Sequence, residues 1–314
     1  MEAHAKAPGK IILLGEHFVV HGNPALAAAL DRGVEAQVVA SEEDLLVSKD
    51  LGLECPLWSP TDELKPIAMG LQSLMRDRNL RGVKVTLSSS IPVSAGLGSS
   101  AASSIAALAA VATFFDVTVS NDTLYDLGMI SERLVHGNPS GVDVYVAVHG
   151  GLVYFKGRDR RVVPLRERYR VLVASTSVAR NTGEQVSKVA KFKESTPTLY
   201  RTLAKASEKL VEDCRKALQK GDAGVIPASM NFHQQALRTM GVSSPELDSL
   251  VKEARLAGFA GAKLTGGGGG GCIIGWPGTA GFDAAYSKFH SKHPNSFSSY
   301  IPSEGVTTWR TPSS

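Results

Sequence analysis

The sequence predicts an α+β fold in two domains, and three observations lead there. The chain has 314 residues, which the usual size relation divides into about two domains with ample material for a core. Strand and helix patterns follow one another without the regular βαβ alternation of a doubly wound sheet. The second half is dominated by helical patterns until short strand-like segments appear near its end.

The first element lies in "KIILLGEHFVV", Lys10 to Val20, apolar on both sides of a polar Gly15-Glu16-His17 interruption. It reads as two strand pieces flanking a turn. Residues 41–66 are turn-rich and carry no clear assignment, whereas Leu64 to Leu74 has helical spacing. "VKVTLSSSI" alternates Val83, Val85 and Leu87 with polar residues, the period of a half-buried strand. "SSIAALAAVATFF", Ser103 to Phe115, is rich in helix formers and reads as a buried helix. Ser120 or Asp122 can cap a further helix carrying Leu124, Leu127, Ile130 and Leu134, ended by Gly137 and Pro139.

"GGLVYF" at 150–155 and "YRVLVAS" at 169–175 read as strands, joined by a charged "KGRDRR" stretch expected to be a hairpin loop near a domain boundary. Thr196 to Lys220, Ala223 to Met240 and Pro245 to Ala257 carry helical patterns. "GAKLT", "CIIGW" and "GVTTW" supply the closing strands. No repeat of fixed period occurs.

Composition narrows the class. Hydrophobic residues at 43% and charged residues at 20% are ordinary for a globular chain, which argues against disorder or a fibrous repeat. A net charge of +4 spread along the chain gives little support for nucleic-acid binding and suits small anionic ligands. Cys55, Cys214 and Cys272 lack metal-ligand spacing, and their odd number argues against a disulfide framework, so a reducing, cytoplasmic setting is expected. "MEAHAKAPGK" lacks the order of a signal peptide, and the longest apolar run is too short to span a bilayer, so no membrane association is expected.

Four segments carry chemistry. "PVSAGLGSSAA", residues 92–102, places two glycines and two small hydroxyls at a strand-to-helix junction, where backbone N–H groups and the helix dipole can receive phosphate. A glycine turn followed by a serine cap is the plainer alternative. No G-x-x-x-x-G-K-[ST] occurs, and the G-x-G-x-x-G match within Gly266 to Gly271 is trivial, so P-loop and dinucleotide readings are weak. "GEHFVVH" sets His17 and His21 four apart beside Glu16. On a strand they would share a face, which leaves a two-histidine metal site open, but no third ligand is evident. A substrate contact is the preferred role for His17.

"ERLVHGNPSGVD" gathers Glu132 and Asp143 around a compact turn. Two carboxylates near a phosphate site suggest that one holds Mg²⁺ and the other addresses a hydroxyl nucleophile. A solvated helix charge and a cap are the alternatives. "KLTGGGGGGC" from Lys263 reads as a strand–loop–strand whose backbone must approach something closely, or as a flexible tip.

Together, "APGKIILLGEHFVVHG", "PVSAGLGSSAA" and "KLTGGGGGGC", in this order and over essentially the full length, resemble the three motifs of the GHMP kinases. "ERLVHGNPSGVD" resembles the mevalonate-phosphorylating members more than galactokinase, homoserine kinase or the decarboxylase cousins. The resemblance implies a two-domain GHMP kinase fold: an N-terminal domain like ribosomal protein S5 domain 2 over residues 1–170, and a ferredoxin-like C-terminal domain over 171–314. The active site would lie between them.

The resemblance also implies a set of roles. Pro92, Val93, Ser94, Ala95, Gly96, Leu97, Gly98, Ser99, Ser100, Ala101 and Ala102 would wrap the triphosphate of ATP, the cosubstrate. Ser100 and Glu132 would help hold Mg²⁺. Asp143 would sit at the acceptor hydroxyl, as general base or as an orienting group, with Lys10 close to both hydroxyl and γ-phosphate. Glu16 and His17 would orient mevalonate, and Arg180 and Thr182 would reach the site from the second domain. The third motif departs from the family pattern in having only glycine from 266 to 271, where Ala or Ser is usual. The chain is compact for the family, so inhibition by long isoprenoid products is not implied. A homodimer is compatible with the sequence.

Overall fold

The structure is a computed structural model and describes the chain except residues 93–95, 137, 138, 179–181, 280, 313 and 314; the side chains of His136 and Thr182 also fall outside the description. The chain begins with a long antiparallel pair, β1 (Glu2–Leu14) and β2 (Ala25–Ala40). One edge of β2 carries β1 along most of its length. The other edge is shared between β5 (Val83–Ser89), which pairs with Val34–Ala40, and β6 (Leu152–Lys156), which pairs with Ala25–Ala28. A hairpin of β3 (Leu45–Ser48) and β4 (Leu53–Pro56) extends the sheet beyond β5, and β7 (Asp159–Val163) extends it beyond β6.

The burial of β1 records its surroundings. Ala3, Ala5 and Ala7 alternate with more open residues, but every residue from Ala7 to Leu14 is buried. Helices cover one face there. The second sheet covers the other, with Ile11, Leu13 and Leu14 packing into one core with Val171, Val173, Cys272 and Ile274. Period-two alternation gives way to a continuous apolar run where a strand is covered on both faces. Sandwiched against β1 and β2 is α2 (Ser99–Phe114), whose alanines permit close approach and which is buried almost all round. Around it pack α1 (Lys65–Asp77), α3 (Asn121–His136) and α4 (Val142–His149).

The second sheet has strand order β11-β8-β10-β9, antiparallel throughout: β8 (Tyr169–Ser175), β9 (Phe259–Thr265), β10 (Cys272–Pro277) and β11 (Phe297–Ile301). Between β8 and β9 run α5 (Thr182–Ser195), α6 (Pro197–Gln219), α7 (Ile226–Thr239) and α8 (Pro245–Ala257), and α9 (Phe282–His290) joins β10 to β11. Numbered within the domain the order is 4-1-3-2, the ferredoxin-like arrangement. The last strand, β12 (Thr307–Thr311), returns to the first sheet and pairs with the free edge of β1. The first sheet therefore takes residues from both ends of the chain, and a division at residue 170 does not describe it at this end.

Several local expectations change. After β1 the chain does not resume a strand: Phe18–His21 form a 3₁₀ turn, entered through Gly15 at φ 97° and His17 at φ 61° and left through Gly22 at φ 90°. Phe18 is buried against Tyr200 and His233, and this packing fixes the turn. His17 and His21 therefore do not share a strand face, and among the described residues no cluster of three or more metal-ligating side chains exists. Helix α2 starts at Ser99, four residues before the expected start, with Gly98 in left-handed geometry and no serine side-chain cap. Ser120 does cap α3, its hydroxyl accepting the N–H of Thr123 at 3.1 Å. The valine-rich α4 was not foreseen; Val142, Val144, Val146 and Val148 are all buried, and that packing overrides their strand preference. The "KGRDRR" stretch contains a strand, β7, beyond a tight turn with Gly157 at φ 59°. Helices α5 and α9 and strand β11 also lay outside the sequence expectation.

Candidate active site

Lys10 is the residue around which the site assembles. The register between β1 and β2 shifts between Pro8 and Lys10, where one residue of β1 faces three of β2, and the Lys10 N–H donates to the carbonyl of Leu97 at 2.7 Å. That bond ties the strand to the glycine-bearing loop ahead of α2. The Lys10 ammonium lies 3.1 Å from Oδ1 of Asp143 in the first turn of α4. Lys10 is buried, whereas the Asp143 side chain is 28% exposed, so the pair opens on its carboxylate side.

Gly98 lies over this pair. It has φ 74°, and a Cβ there would stand 2.9 Å from Cγ of Lys10 and 3.7 Å from Oδ2 of Asp143. Conformation and space both call for glycine. Residues 10, 98 and 143, remote in sequence, thus meet at one point. Gly96 is also left-handed, at φ 82°, and Leu97 is buried. Ser99, Ser100, Ala101 and Ala102 form the first turn of α2, whose free N–H groups and dipole favour an anion. Ser100 is half-buried, Ala101 and Ala102 fully so. Pro92 lines a cavity of about 500 Å³ with Arg32, Ser89, Ser90 and residues of the β11 approach. Val93, Ser94 and Ala95 lie outside the described residues.

Glu132 projects from the last turns of α3 and is 4% exposed. Burial pushes its carboxyl up to about 8; the negative charge of Asp143 adds to the rise and Lys10 opposes it. Both carboxylates thus feel the Lys10 charge, and a further cation would ease the burial of Glu132. Oxygen donors of this kind suit Mg²⁺, which is ordinarily held by one or two carboxylates together with phosphate oxygens.

Glu16 and His17 stand on the turn after β1. His17 Nε2 donates to the carbonyl of Gly267 at 2.8 Å. Glu16 is fully buried and pairs through Oε1 with the equally buried Lys263 of β9. Desolvation raises the Glu16 carboxyl and lowers the Lys263 ammonium from their ordinary values, while each opposite charge counters the other's shift. The glycine run is built into the fold: Gly269 N–H donates to Val242 O at 2.8 Å, and Thr176 N–H to Gly271 O at 2.8 Å. Arg180 lies outside the described residues; Thr182 opens α5, its side chain undescribed.

Lys263 and Thr265 were not singled out from the sequence, although a signal was present. "GAKLT" reads as a buried strand, and a lysine within one needs a partner. Thr265 joins the same junction, its hydroxyl accepting the Ile12 N–H at 2.8 Å and donating to the Ile12 carbonyl at 3.1 Å.

The family model described as the GHMP kinases N terminal domain matches residues 67–151, and that for the GHMP kinases C terminal matches residues 214–295. The mevalonate kinase of Aeropyrum pernix is 34% identical over 285 residues, covering 87% of this chain and 88% of that one. The mevalonate kinase of Pyrococcus furiosus is 34% identical over 299 residues, with the same coverage of 87% and 88%. The crystal structure of the Methanococcus jannaschii mevalonate kinase superposes with a TM-score of 0.82 at 26% identity, covering 96% of this chain and 98% of that chain. With the second and third motif segments both touching the first and relatives matching over most of both chains, the protein belongs to the GHMP kinase family and, within it, to the mevalonate kinases.

Proposed function

We propose that the protein transfers the γ-phosphoryl group of ATP to the C5 hydroxyl of mevalonate, giving 5-phosphomevalonate and ADP. The observation that carries this reading is the Lys10–Asp143 pair, 3.1 Å apart and open on the carboxylate side, directly under Gly98 of the glycine-bearing loop. A base, a fixed cation and a phosphate-receiving helix terminus are thereby adjacent.

In this reading the triphosphate rests on the N–H groups at the start of α2 and in the loop from Pro92 to Ala102. The C5 oxygen forms its bond to the γ-phosphorus as the bond to the β,γ-bridging oxygen breaks, and ADP departs with that electron pair. The hydroxyl proton passes to Asp143. Lys10 holds the Asp143 carboxylate in place and faces the charge gathering on the transferred group. Phosphoryl transfer has a loose transition state, so positioning and charge neutralisation account for most of the acceleration. Ser100 and Glu132 would hold Mg²⁺, which would supply neutralisation of the phosphate charge. The raised Glu132 carboxyl suits a group whose charge is welcome only beside another cation. Glu16 and His17 would engage the C3 hydroxyl and the carboxylate of mevalonate, leaving C5 beside Asp143. Arg180 and Thr182 would complete the acceptor site from the second domain.

An ADP-release assay across a panel of alcohols tests the assignment. Mevalonate should be turned over well, and phosphomevalonate, galactose and homoserine at background. Preference for any of those three over mevalonate would contradict it.

A further inference from the structure

Strand β9 and the start of the glycine run after it reach the first motif at alternate residues, 263, 265 and 267. Lys263 pairs with Glu16, Thr265 exchanges two hydrogen bonds with the Ile12 backbone, and the carbonyl of Gly267 accepts from His17. The Lys263 ammonium has three protons, and three acceptors surround it: Glu16 Oε1, the Leu264 carbonyl at 2.6 Å and the Ile12 carbonyl at 3.4 Å. No donor remains for a ligand.

Glu16 is in the opposite situation. Its Oε1 is taken by Lys263, while Oε2 is buried and has no hydrogen-bond partner among the described residues. A buried carboxylate oxygen without a donor is costly and calls for an explanation. Ile12, whose carbonyl accepts from Lys263, follows Lys10 by two residues on β1, so the closed pair lies beside the Lys10–Asp143 pair along that strand.

We propose that Lys263 is a positioning residue for the acceptor: it holds Glu16 by Oε1 so that Oε2 is presented to a hydroxyl of the bound alcohol. This rests on the reading of Glu16 as an acceptor-binding residue. The third motif then serves acceptor recognition, and it does so across the junction of the two domains. Lys263 touches neither substrate; its effect passes through Glu16.

The test compares Lys263→Arg, Lys263→Met, Glu16→Gln and the double variant Glu16→Gln/Lys263→Met with the wild type. The readouts are KM for the acceptor, KM for ATP, kcat and thermal midpoint. Lys263→Arg should raise the acceptor KM by about tenfold to a hundredfold, the loss expected of one hydrogen bond to a charged group, with ATP KM unchanged. The double variant removes both buried charges and avoids an uncompensated one, so it decides the matter should Lys263→Met fail to fold. Its acceptor KM should match that of Glu16→Gln alone, because Lys263 acts only through Glu16. An acceptor KM within twofold of wild type in Lys263→Arg, with only the thermal midpoint lowered, would overturn the proposal. So would a double variant much worse toward the acceptor than Glu16→Gln. If the wild type preferred another alcohol, the mevalonate reading would fall and the same comparison would run on that alcohol.

Discussion

Two lysine–carboxylate pairs meet β1, one through Lys10 itself and one through the Ile12 carbonyl, and they are built differently. In the Lys10–Asp143 pair the atoms stand 3.1 Å apart and the carboxylate side chain is 28% exposed; in the Lys263–Glu16 pair exposure is 0% and 1%. Asp143 keeps an open side toward the space under Gly98, whereas Lys263 has every donor used inside the protein. The same two chemical groups thus serve reaction when one side is left open and geometry when it is closed. Burial, not residue type, separates the roles.

The largest expected effect breaks the open pair. Asp143→Asn should lower kcat by about 10² to 10⁴-fold, the typical loss of a general base, with ATP affinity nearly unchanged. The fold should tolerate the change, since a partly open pair contributes little to stability. Lys263→Met should do the reverse of this at the level of the fold. Removing one partner of a fully buried pair costs about 3 to 5 kcal/mol, measurable by urea unfolding. Retention of more than half the wild-type kcat in Asp143→Asn would remove the base role and with it the contrast.

A second test separates the two glycine segments that accompany the pairs. Gly98→Ala sets a methyl against the Lys10 side chain at φ 74° and should reduce turnover by about 10²-fold through displacement of that lysine. Gly268→Ala, at φ 78° with a Cβ 2.1 Å from the Val242 carbonyl, meets rigid backbone and should chiefly lower stability. Gly22, at φ 90° with nothing within 4 Å, is the control for left-handed strain without a clash. Equal loss of kcat in all three would show that turnover follows backbone strain alone.

The smallest effect concerns the surroundings of the closed pair. His233 is buried, its Nδ1–H donating to the Ser229 carbonyl at 2.8 Å and its Nε2 accepting from the Ser207 hydroxyl at 2.9 Å. Burial pushes its pKa down to about 3, and the charge of Lys263 adds to the fall. The unfolded chain then binds a proton that the folded one refuses. This contribution is fully present above the unfolded pKa near 6.5 and is lost as pH falls toward 3. Between pH 6.5 and 5 the loss should be roughly 2 kcal/mol, and His233→Gln should remove that pH dependence in urea unfolding. Identical profiles for variant and wild type would contradict a neutral His233.

The comparison also marks how far the sequence was legible. Helices with clear ends were readable: α8 matched Pro245 to Ala257, and Ser120 capped α3. The α+β class and the 4-1-3-2 second sheet agreed with the family resemblance. Features decided by tertiary packing were not readable. Alternating valines in "GVDVYVAVHG" suit a strand, and only complete burial makes them a helix. "GVTTW" looked like a strand of the second domain, yet the free edge of β1 recruits it. At the site, Lys10 and Asp143 lie within segments that glycines mark out, whereas Lys263 lies in an apolar strand ahead of a conspicuous glycine run. Its partner is 247 residues away, a pairing that no local pattern encodes.

The most direct test of the account is which hydroxyl receives the phosphate. If Glu16, held by Lys263, and His17 grip the C3 end of mevalonate, only the C5 hydroxyl can face Asp143. Phosphorus NMR of the product from the wild-type protein should then show the phosphate coupled to two methylene protons at C5. A phosphate without such coupling, as on the tertiary C3 oxygen, would mean that the open pair meets the other end of the substrate, contradicting the division of labour between the two pairs.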